Sequence, residues 1–302
     1  MTQAYRSGLV VVIGRPNVGK STLVNRLVGA KVSITSPRPQ TTRHRILGIH
    51  TSESAQIVYV DTPGLNPPLG KRRLARYLNR TASASLEGVD AIMLVITANG
   101  WREADDYPLS LVRDRQRGVP VILVINKIDR LKDKRLLLPL IEASRHKFEF
   151  AEIVPVSALR GTNLEALERA LIRYLPEQPP LYPPERQTDK GARFLAAELV
   201  REQIFRLYGQ EVPYACAVIV DTFREENGRL YIAMTIWVER EGQKPILIGK
   251  GGERLKLVGM RARRELEQIL GTKVHLELYV KHRPGWSDSE SALRALGYTE
   301  EY

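Results

Sequence analysis

Eight residues near the amino terminus, Gly14-Arg15-Pro16-Asn17-Val18-Gly19-Lys20-Ser21, carry the spacing G-x-x-x-x-G-K-S. The chemistry this order supports is the holding of phosphate. Its glycines remove side chains that would keep backbone N–H groups away from an anion. Those N–H groups, with the positive end of a following helix, then cradle the phosphates. Lys20 is placed to reach the β- and γ-phosphates, and the Ser21 hydroxyl to ligate Mg2+. The pattern carries this meaning only between a strand and a helix, since a glycine-rich turn before an ordinary helix would read the same. Residues 9–13 are an unbroken apolar run, and Leu23, Val24, Leu27 and Val28 recur at helical spacing. Strand, loop and helix are therefore expected in that order.

Three further stretches extend the phosphate site. The apolar Ile57-Val58-Tyr59-Val60 ends in Asp61-Thr62-Pro63-Gly64. A carboxylate at the carboxyl end of a buried strand, beside a phosphate loop, is where a water-mediated Mg2+ ligand belongs. Gly64 lets a backbone N–H approach the γ-phosphate. Before that strand, residues 31–46 show no clean period and read as a loop carrying Gln40-Thr41-Thr42-Arg43-His44, in which Thr42 could close onto the γ-phosphate and the metal. After apolar runs at 91–97 and 119–125 comes Asn126-Lys127-Ile128-Asp129. A carboxylate at Asp129 can accept from both the N1–H and the N2–H2 of guanine. Adenine offers neither donor, so the carboxylate would lose partners at about 1–3 kcal/mol. Residues 153–156 lead to Ser157-Ala158, whose backbone N–H groups are expected to meet the guanine carbonyl. The expected GTP contacts are thus residues 14–21, residues 61–65, Asn126, Lys127, Asp129, Ser157 and Ala158. No side chain takes an acid–base role; Lys20, Thr42 and Gly64 support hydrolysis by position. The residue after Gly64 is Leu65, which cannot orient an attacking water, so intrinsic turnover should be slow.

With these motifs in order, residues 8–175 resemble a translation-factor-class GTPase domain. The resemblance implies an α/β fold with a mostly parallel sheet and helices on both faces. In the GTPases this domain most resembles, an asparagine at the place of Asn17 and a hydrophobic residue at that of Leu65 accompany stimulation by K+. Asn17 is accordingly expected to ligate K+, with the switch loop completing the cage.

A length of 302 residues makes two domains the default. No apolar run approaches the roughly 18 residues that span a bilayer. One cysteine, Cys216, excludes an internal disulfide framework and is expected to be a small buried hydrophobe. No signal-peptide core precedes the first strand, which favours the cytoplasm. The five histidines lack metal-ligand spacing. The net charge of +12 points to a polyanionic partner. Residues 1–180 hold 27 Lys and Arg against 16 Asp and Glu, and the remainder 19 against 18. Lys71, Arg72, Arg73, Arg76 and Arg80 form one basic cluster, expected to be a solvated helix face or a surface meeting RNA or the second domain. Within the near-neutral remainder, residues 244–264 hold seven basic residues and one acid, Glu253.

The proline-rich stretch 176–190 is expected to be a stiff extended connector between residues 1–175 and a second domain over 191–302. That domain reads as a helix over 191–208, alternating strands over 214–220 and 230–238 joined by Asn227-Gly228, and a short helix. Then come Gly249-Lys250-Gly251-Gly252, a helix to about Leu270, and a strand over 273–280. Leu255, Val258, Ala262, Leu266 and Ile269 are expected to face inward. The order resembles an α+β type-II KH domain, which clamps about four nucleotides of a single strand at its G-x-x-G loop. Arg254, Lys256, Arg261, Arg263 and Arg264 are expected phosphate contacts. Gly259, in mid-helix, has no explanation in the sequence.

One GTPase domain, the Gln40–His44 stretch, the KH domain and the tail Val280-Lys281-His282-Arg283-Pro284-Gly285-Trp286 together resemble the Era family of bacterial ribosome-assembly GTPases. The likeness covers nearly the whole chain. It implies binding near the 3′ end of small-subunit ribosomal RNA, a role in 30S maturation, and weak peripheral contact with the inner membrane; no DNA partner is expected. Two other classes fit parts of the sequence. A membrane signalling GTPase with a protein-binding KH-like domain would show RNA affinity independent of G-x-x-G. An RNA-modifying GTPase would need a second catalytic constellation, and none is seen.

Overall fold

The computed structural model describes residues 4–67, 73–115 and 118–298. In chain order the first half runs β1 (Arg6–Ile13), α1 (Lys20–Val28), β2 (Ile46–Thr51), β3 (Ala55–Asp61), α2 (Arg73–Ala84), β4 (Ala91–Thr97), α3 (Glu103–Arg115), β5 (Val121–Asn126), α4 (Leu137–Arg145), β6 (Glu152–Pro155) and α5 (Leu164–Ile172). The strands form one sheet in the order β2-β3-β1-β4-β5-β6, with β2 antiparallel and every other pairing parallel. Alternation along β1 explains the layers. Val10 and Val12 join the core beneath α1 and α5, and Val11 and Ile13 join the core beneath α2 and α3. Every residue of β3, β4 and β5 is buried, as parallel strands covered on both faces must be. The chain leaves β1 toward β3 on one side and β4 on the other, and a crevice opens at this reversal, where ligands of such sheets sit.

The second half runs α6 (Ala192–Leu207), β7 (Cys216–Glu226), β8 (Arg229–Val238), α7 (Gln243–Ile248), α8 (Glu253–Leu270), β9 (Lys273–His282) and α9 (Glu290–Ala295). Its sheet order is β7-β8-β9, with β7/β8 antiparallel and β8/β9 parallel. Asn227 and Gly228 turn the hairpin with φ of 51° and 69°, the left-handed pair a two-residue hairpin requires. Val258, Ala262 and Leu266 of α8 are buried as expected. Ile269 is not: it is 39% exposed, because Leu270, one turn after Leu266, takes the core-facing place in the last turn.

Residues 176–190 lack regular structure, with a turn in which Arg186 N–H donates to Pro183 O (3.0 Å), and they are not a free connector. The stretch is strapped to the first sheet: Ser7 N–H donates to Pro176 O (3.1 Å) and Ile49 N–H to Gln187 O (2.8 Å). The buried Gln56 amide donates to Tyr182 O (2.8 Å) and accepts from Tyr182 N–H (2.9 Å). Losing this exchange would leave the Gln56 carbonyl oxygen without its partner, although donation from Nε2 to Thr51 Oγ1 (2.9 Å) would remain, so the strap is favoured in this path.

Candidate functional site

At the crevice, loop 14–19 leaves β1 and enters α1 with tight packing beneath it. A Cβ on Gly19, whose φ is 101°, would stand 2.5 Å from Asn126 Nδ2, so only glycine fits. Lys20 is buried, and its ammonium crosses its own loop to donate to Gly14 O (3.0 Å) and Arg15 O (3.2 Å). Burial pushes it down to about 8, with the Asp61 charge acting against that shift. Arg15 points away from the cleft, toward Thr97 Oγ1 (3.1 Å) and the buried Asp105 (3.0 Å), and so ties the loop to α3. Val18 is core; its carbonyl accepts from Asn126 Nδ2 (2.9 Å). Pro16 and Asn17 line the cleft, whose volume is about 890 Å³ including its open mouth.

Asp61 is fully buried at the end of β3, and neither carboxylate oxygen has a hydrogen-bond partner among the described residues. Burial pushes its carboxyl above the usual range. Ser21 Oγ and Thr42 Oγ1 stand 2.7 Å apart, so the hydroxyls expected to share a metal have been brought together from α1 and the loop after it. An orphaned carboxylate beside two converging hydroxyls is an oxygen-donor set that suits Mg2+. Thr62 Oγ1 donates to Val12 O (2.8 Å), Pro63 is buried, and Leu65 lies in the core with its N–H on Gly14 O (3.2 Å). A side chain so placed cannot hold a water over a phosphate.

Asn126 organises the far end of the cleft. It accepts from Lys127 N–H (2.7 Å) and Ala158 N–H (3.0 Å) while donating to Val18 O. Lys127 reaches Asn17 O (2.6 Å), and Ser157 Oγ donates to Asp129 Oδ1. The Ser157-Ala158 expectation is therefore modified. Ser157 N–H is engaged by Thr162 O and Ala158 N–H by Asn126, so the pair braces the Asn126 and Asp129 side chains instead of presenting free donors.

The second site is a groove between α8 and β9, lined by Gly252, Leu255, Lys256, Gly259, Arg263 and Leu278 among others. Gly259 lies in its wall, where a Cβ would stand in ordinary contact with Leu278 Cδ1 (3.4 Å) and take up part of the groove. Of the five basic residues of α8 singled out from the sequence, Lys256 and Arg263 line the groove and the other three do not. Arg254 lies over the Tyr208 ring (5.5 Å), and Arg261 and Arg264 are placed elsewhere on the helix. At 100° per residue, 256, 259 and 263 share a face opposite 254 and 261. Gly249, Lys250 and Gly251 form the loop at the groove's end.

Two contacts join the halves of the chain, and the first had no signal in the sequence. Arg43 is buried, donating to Cys216 O (2.8 Å), Pro213 O (3.2 Å) and Tyr214 O (3.0 Å), with its guanidinium over Trp286. Within the basic cluster, Arg73 N–H donates to Asp288 Oδ1 (2.9 Å) and its side chain pairs with Glu290 (3.2 Å). Leu74 and Leu78 bury against Trp286, Leu293 and Tyr298. This face of α2 thus meets the second domain; Lys71 and Arg72 lie outside the described residues. His44 stacks on Tyr298 (4.5 Å), and burial pushes its imidazole down to about 4, so it stays neutral.

Fold and cleft together define the class: a P-loop GTPase domain followed by a KH domain. A family profile described as "50S ribosome-binding GTPase" matches residues 9–127, and one described as "KH domain" matches 211–287. The chain belongs to the Era family of GTPases. It is 54% identical over 294 residues to GTPase Era of Stenotrophomonas maltophilia strain K279a, covering 97% of this chain and 98% of that protein. It is 53% identical over 298 residues to GTPase Era of Xanthomonas axonopodis pv. citri, covering 99% of each. Among solved structures, a single-residue variant of Aquifex aeolicus Era bound to GDP·AlF4− superposes with a TM-score of 0.93 at 44% identity, over 97% of this chain and 99% of that one. An Era complex with MgGDPNP and nucleotides 1506–1542 of 16S ribosomal RNA superposes equally, with a TM-score of 0.93 at 44% identity, over 98% and 99%.

Proposed function

We propose that residues 1–175 form a GTP-hydrolysing switch, 176–190 a docked linker, and 191–302 a module that holds the 3′ region of small-subunit ribosomal RNA during 30S maturation. The observation that carries the RNA half is the α8–β9 groove, apolar within and basic at Lys256 and Arg263, in a chain whose structural relative holds a 16S fragment. The family description naming the 50S particle covers residues 9–127 alone and does not bear on the RNA that the second half holds. Within the described residues no helix is long and apolar enough to cross a membrane. We place the protein in the cytoplasm; peripheral contact with the inner membrane rests on family resemblance.

In this reading Lys20 holds the β- and γ-phosphates, Asp129 the base, and Ser21, Thr42 and, through water, Asp61 hold Mg2+. The metal, when bound, neutralises charge that develops on the phosphates. Gly64 brings a backbone N–H toward the γ-phosphate, and Leu65 leaves the water unoriented, so turnover is slow. A phosphate against Lys20 keeps its ammonium protonated, whereas the free group loses its proton near pH 8. Binding above that pH takes up a proton. Nucleotide affinity should be level below about pH 8 and fall above it. Calorimetry in buffers of different ionisation heat reads the uptake, and Lys127→Ala removes the part due to Lys127, which burial also pushes to about 8.

K+ is the finer reading. Asn17 lines the cleft, and its Nδ2 donates to Pro37 O (3.0 Å), so the side chain is within reach of the switch loop expected to complete the cage. Asn17→Ala should abolish stimulation of hydrolysis by KCl over NaCl; stimulation that survives the change removes Asn17 from the site.

The RNA reading is tested with the 3′-terminal 16S segment. A Cβ at Gly251 meets nothing within 4 Å, and its φ of 58° is one that Asp tolerates. Gly251→Asp should therefore fold normally and bind RNA roughly tenfold or more weakly, by placing a carboxylate where a phosphate passes. Unchanged affinity would mean that the basic surface attracts RNA without the groove.

A further inference from the structure

The loop over 31–45 is seated on a helix of the other domain. Glu202 of α6, fully buried, accepts from Lys31 Nζ (2.5 Å), Thr35 N–H (3.0 Å) and Arg206 (2.7 Å). Ile34 belongs to the second domain's core. On the same face of α6, Arg201 donates from Nη2 to the carbonyl of Thr41 (2.5 Å). Glu198 grips that guanidinium twice, accepting from Nε at 2.7 Å and from Nη2 at 2.6 Å. Arg201 is 2% exposed and Glu198 5%.

The peptide that Arg201 holds is the one that leads into Thr42, whose hydroxyl stands 2.7 Å from Ser21 Oγ. A buried ion pair is not needed for stability, since apolar residues of similar volume commonly pack as well or better. What the pair supplies is a fixed donor aimed at one carbonyl of the switch loop. Among the described residues, the Thr41 carbonyl has no other partner in the second domain, and Arg43 anchors the loop two residues further on.

We propose that Arg201, oriented by Glu198, is a positioning residue for the triphosphate state: it sets Thr42 at the metal-binding corner of the cleft from the RNA-binding half of the chain. The proposal rests on the reading of Thr42 as a metal ligand beside the γ-phosphate. GDP has no γ-phosphate and makes no use of Thr42. Loss of Arg201 is then felt by GTP and not by GDP, whereas general damage to the fold affects both. The second domain thus contributes to how well the cleft distinguishes the two nucleotides.

The test uses the full chain as Glu198→Leu/Arg201→Met, in which both charges are removed together, with Arg201→Lys and Thr42→Ala alongside. Fluorescent GDP and a fluorescent non-hydrolysable GTP analogue are titrated at fixed Mg2+, and the thermal midpoint is recorded. The double variant should bind the GTP analogue roughly tenfold more weakly, within the range usual for coupled sites, with GDP affinity and midpoint little changed. Arg201→Lys, which keeps a donor but not the double grip of Glu198, should fall between, and it carries the test if the double variant does not fold. Equal loss for both nucleotides, or no loss, overturns the proposal. If Thr42→Ala itself leaves the GTP preference intact, the reading of Thr42 fails and takes the proposal with it. If Thr42→Ala lowers the preference while the Arg201 variants do not, only the role of Arg201 is lost.

Discussion

Asp129→Asn should lower GTP affinity by a hundredfold or more and shift the preference toward xanthosine nucleotides. Asp129 sits at the cleft rim with one oxygen accepting from Ser157 Oγ, next to Asn126, which is fixed by three hydrogen bonds. That frame holds the carboxylate still enough to accept two donors from one edge of guanine. Hydrogen bonds to a charged group are worth about 1.5–3 kcal/mol each, and about 1.4 kcal/mol is tenfold, so losing both gives about a hundredfold or more. Xanthine presents a carbonyl where guanine has its amino group, and an asparagine can donate to it. Competition of labelled GDP by GDP and by XDP reads the change directly. A variant that keeps its guanine preference would remove Asp129 from base reading.

The second large effect is expected at Gly64. A Cβ there would lie 2.7 Å from Pro16 Cα and 2.8 Å from Pro16 N, and backbone atoms cannot yield as a side-chain tip can. In Gly64→Ala the stretch 62–67 must move away from the phosphate loop and break the bond from Leu65 N–H to Gly14 O. Misplacement of about 1 Å can cost on the order of a hundredfold in rate, so single-turnover hydrolysis should fall between roughly ten- and a hundredfold. GDP, which lacks the γ-phosphate, should bind about as before. Hydrolysis at the wild-type rate would show that the close approach of Gly64 to Pro16 has no part in turnover.

Features set by local pattern were legible in the sequence. Apolar runs placed β1, β3, β4 and β5, and Asn227-Gly228 placed the hairpin, because side-chain periodicity and turn chemistry act within a few residues. What escaped depends on distant pairing. The β2 stretch, Ile46–Thr51, shows no alternation, since Gly48 interrupts it. Its strand character comes from pairing with β3, and the glycine from α1, where a Cβ would come within 2.8 Å of Val24 and Val28. Prolines marked 176–190 as extended but could not show that Tyr182 would satisfy the buried Gln56. Nothing in the sequence marks Arg43 or Arg201 as buried; their burial follows from the meeting of the two halves. The facing of α8 was available in principle, because helical geometry alone separates Lys256 and Arg263 from Arg254 and Arg261. Charge counted along a stretch hides charge arranged around an axis.

Because the switch loop is seated against α6 and the tail against α2, GTP and RNA are expected to address one device. The most direct measurement is the affinity of the unmodified protein for the 3′-terminal 16S segment, with GDP and with a non-hydrolysable GTP analogue, at fixed salt. Tighter binding with the analogue is the result this account predicts. Equal affinity in both states would contradict it, leaving a GTPase and an RNA-binding domain that share a chain without sharing a switch.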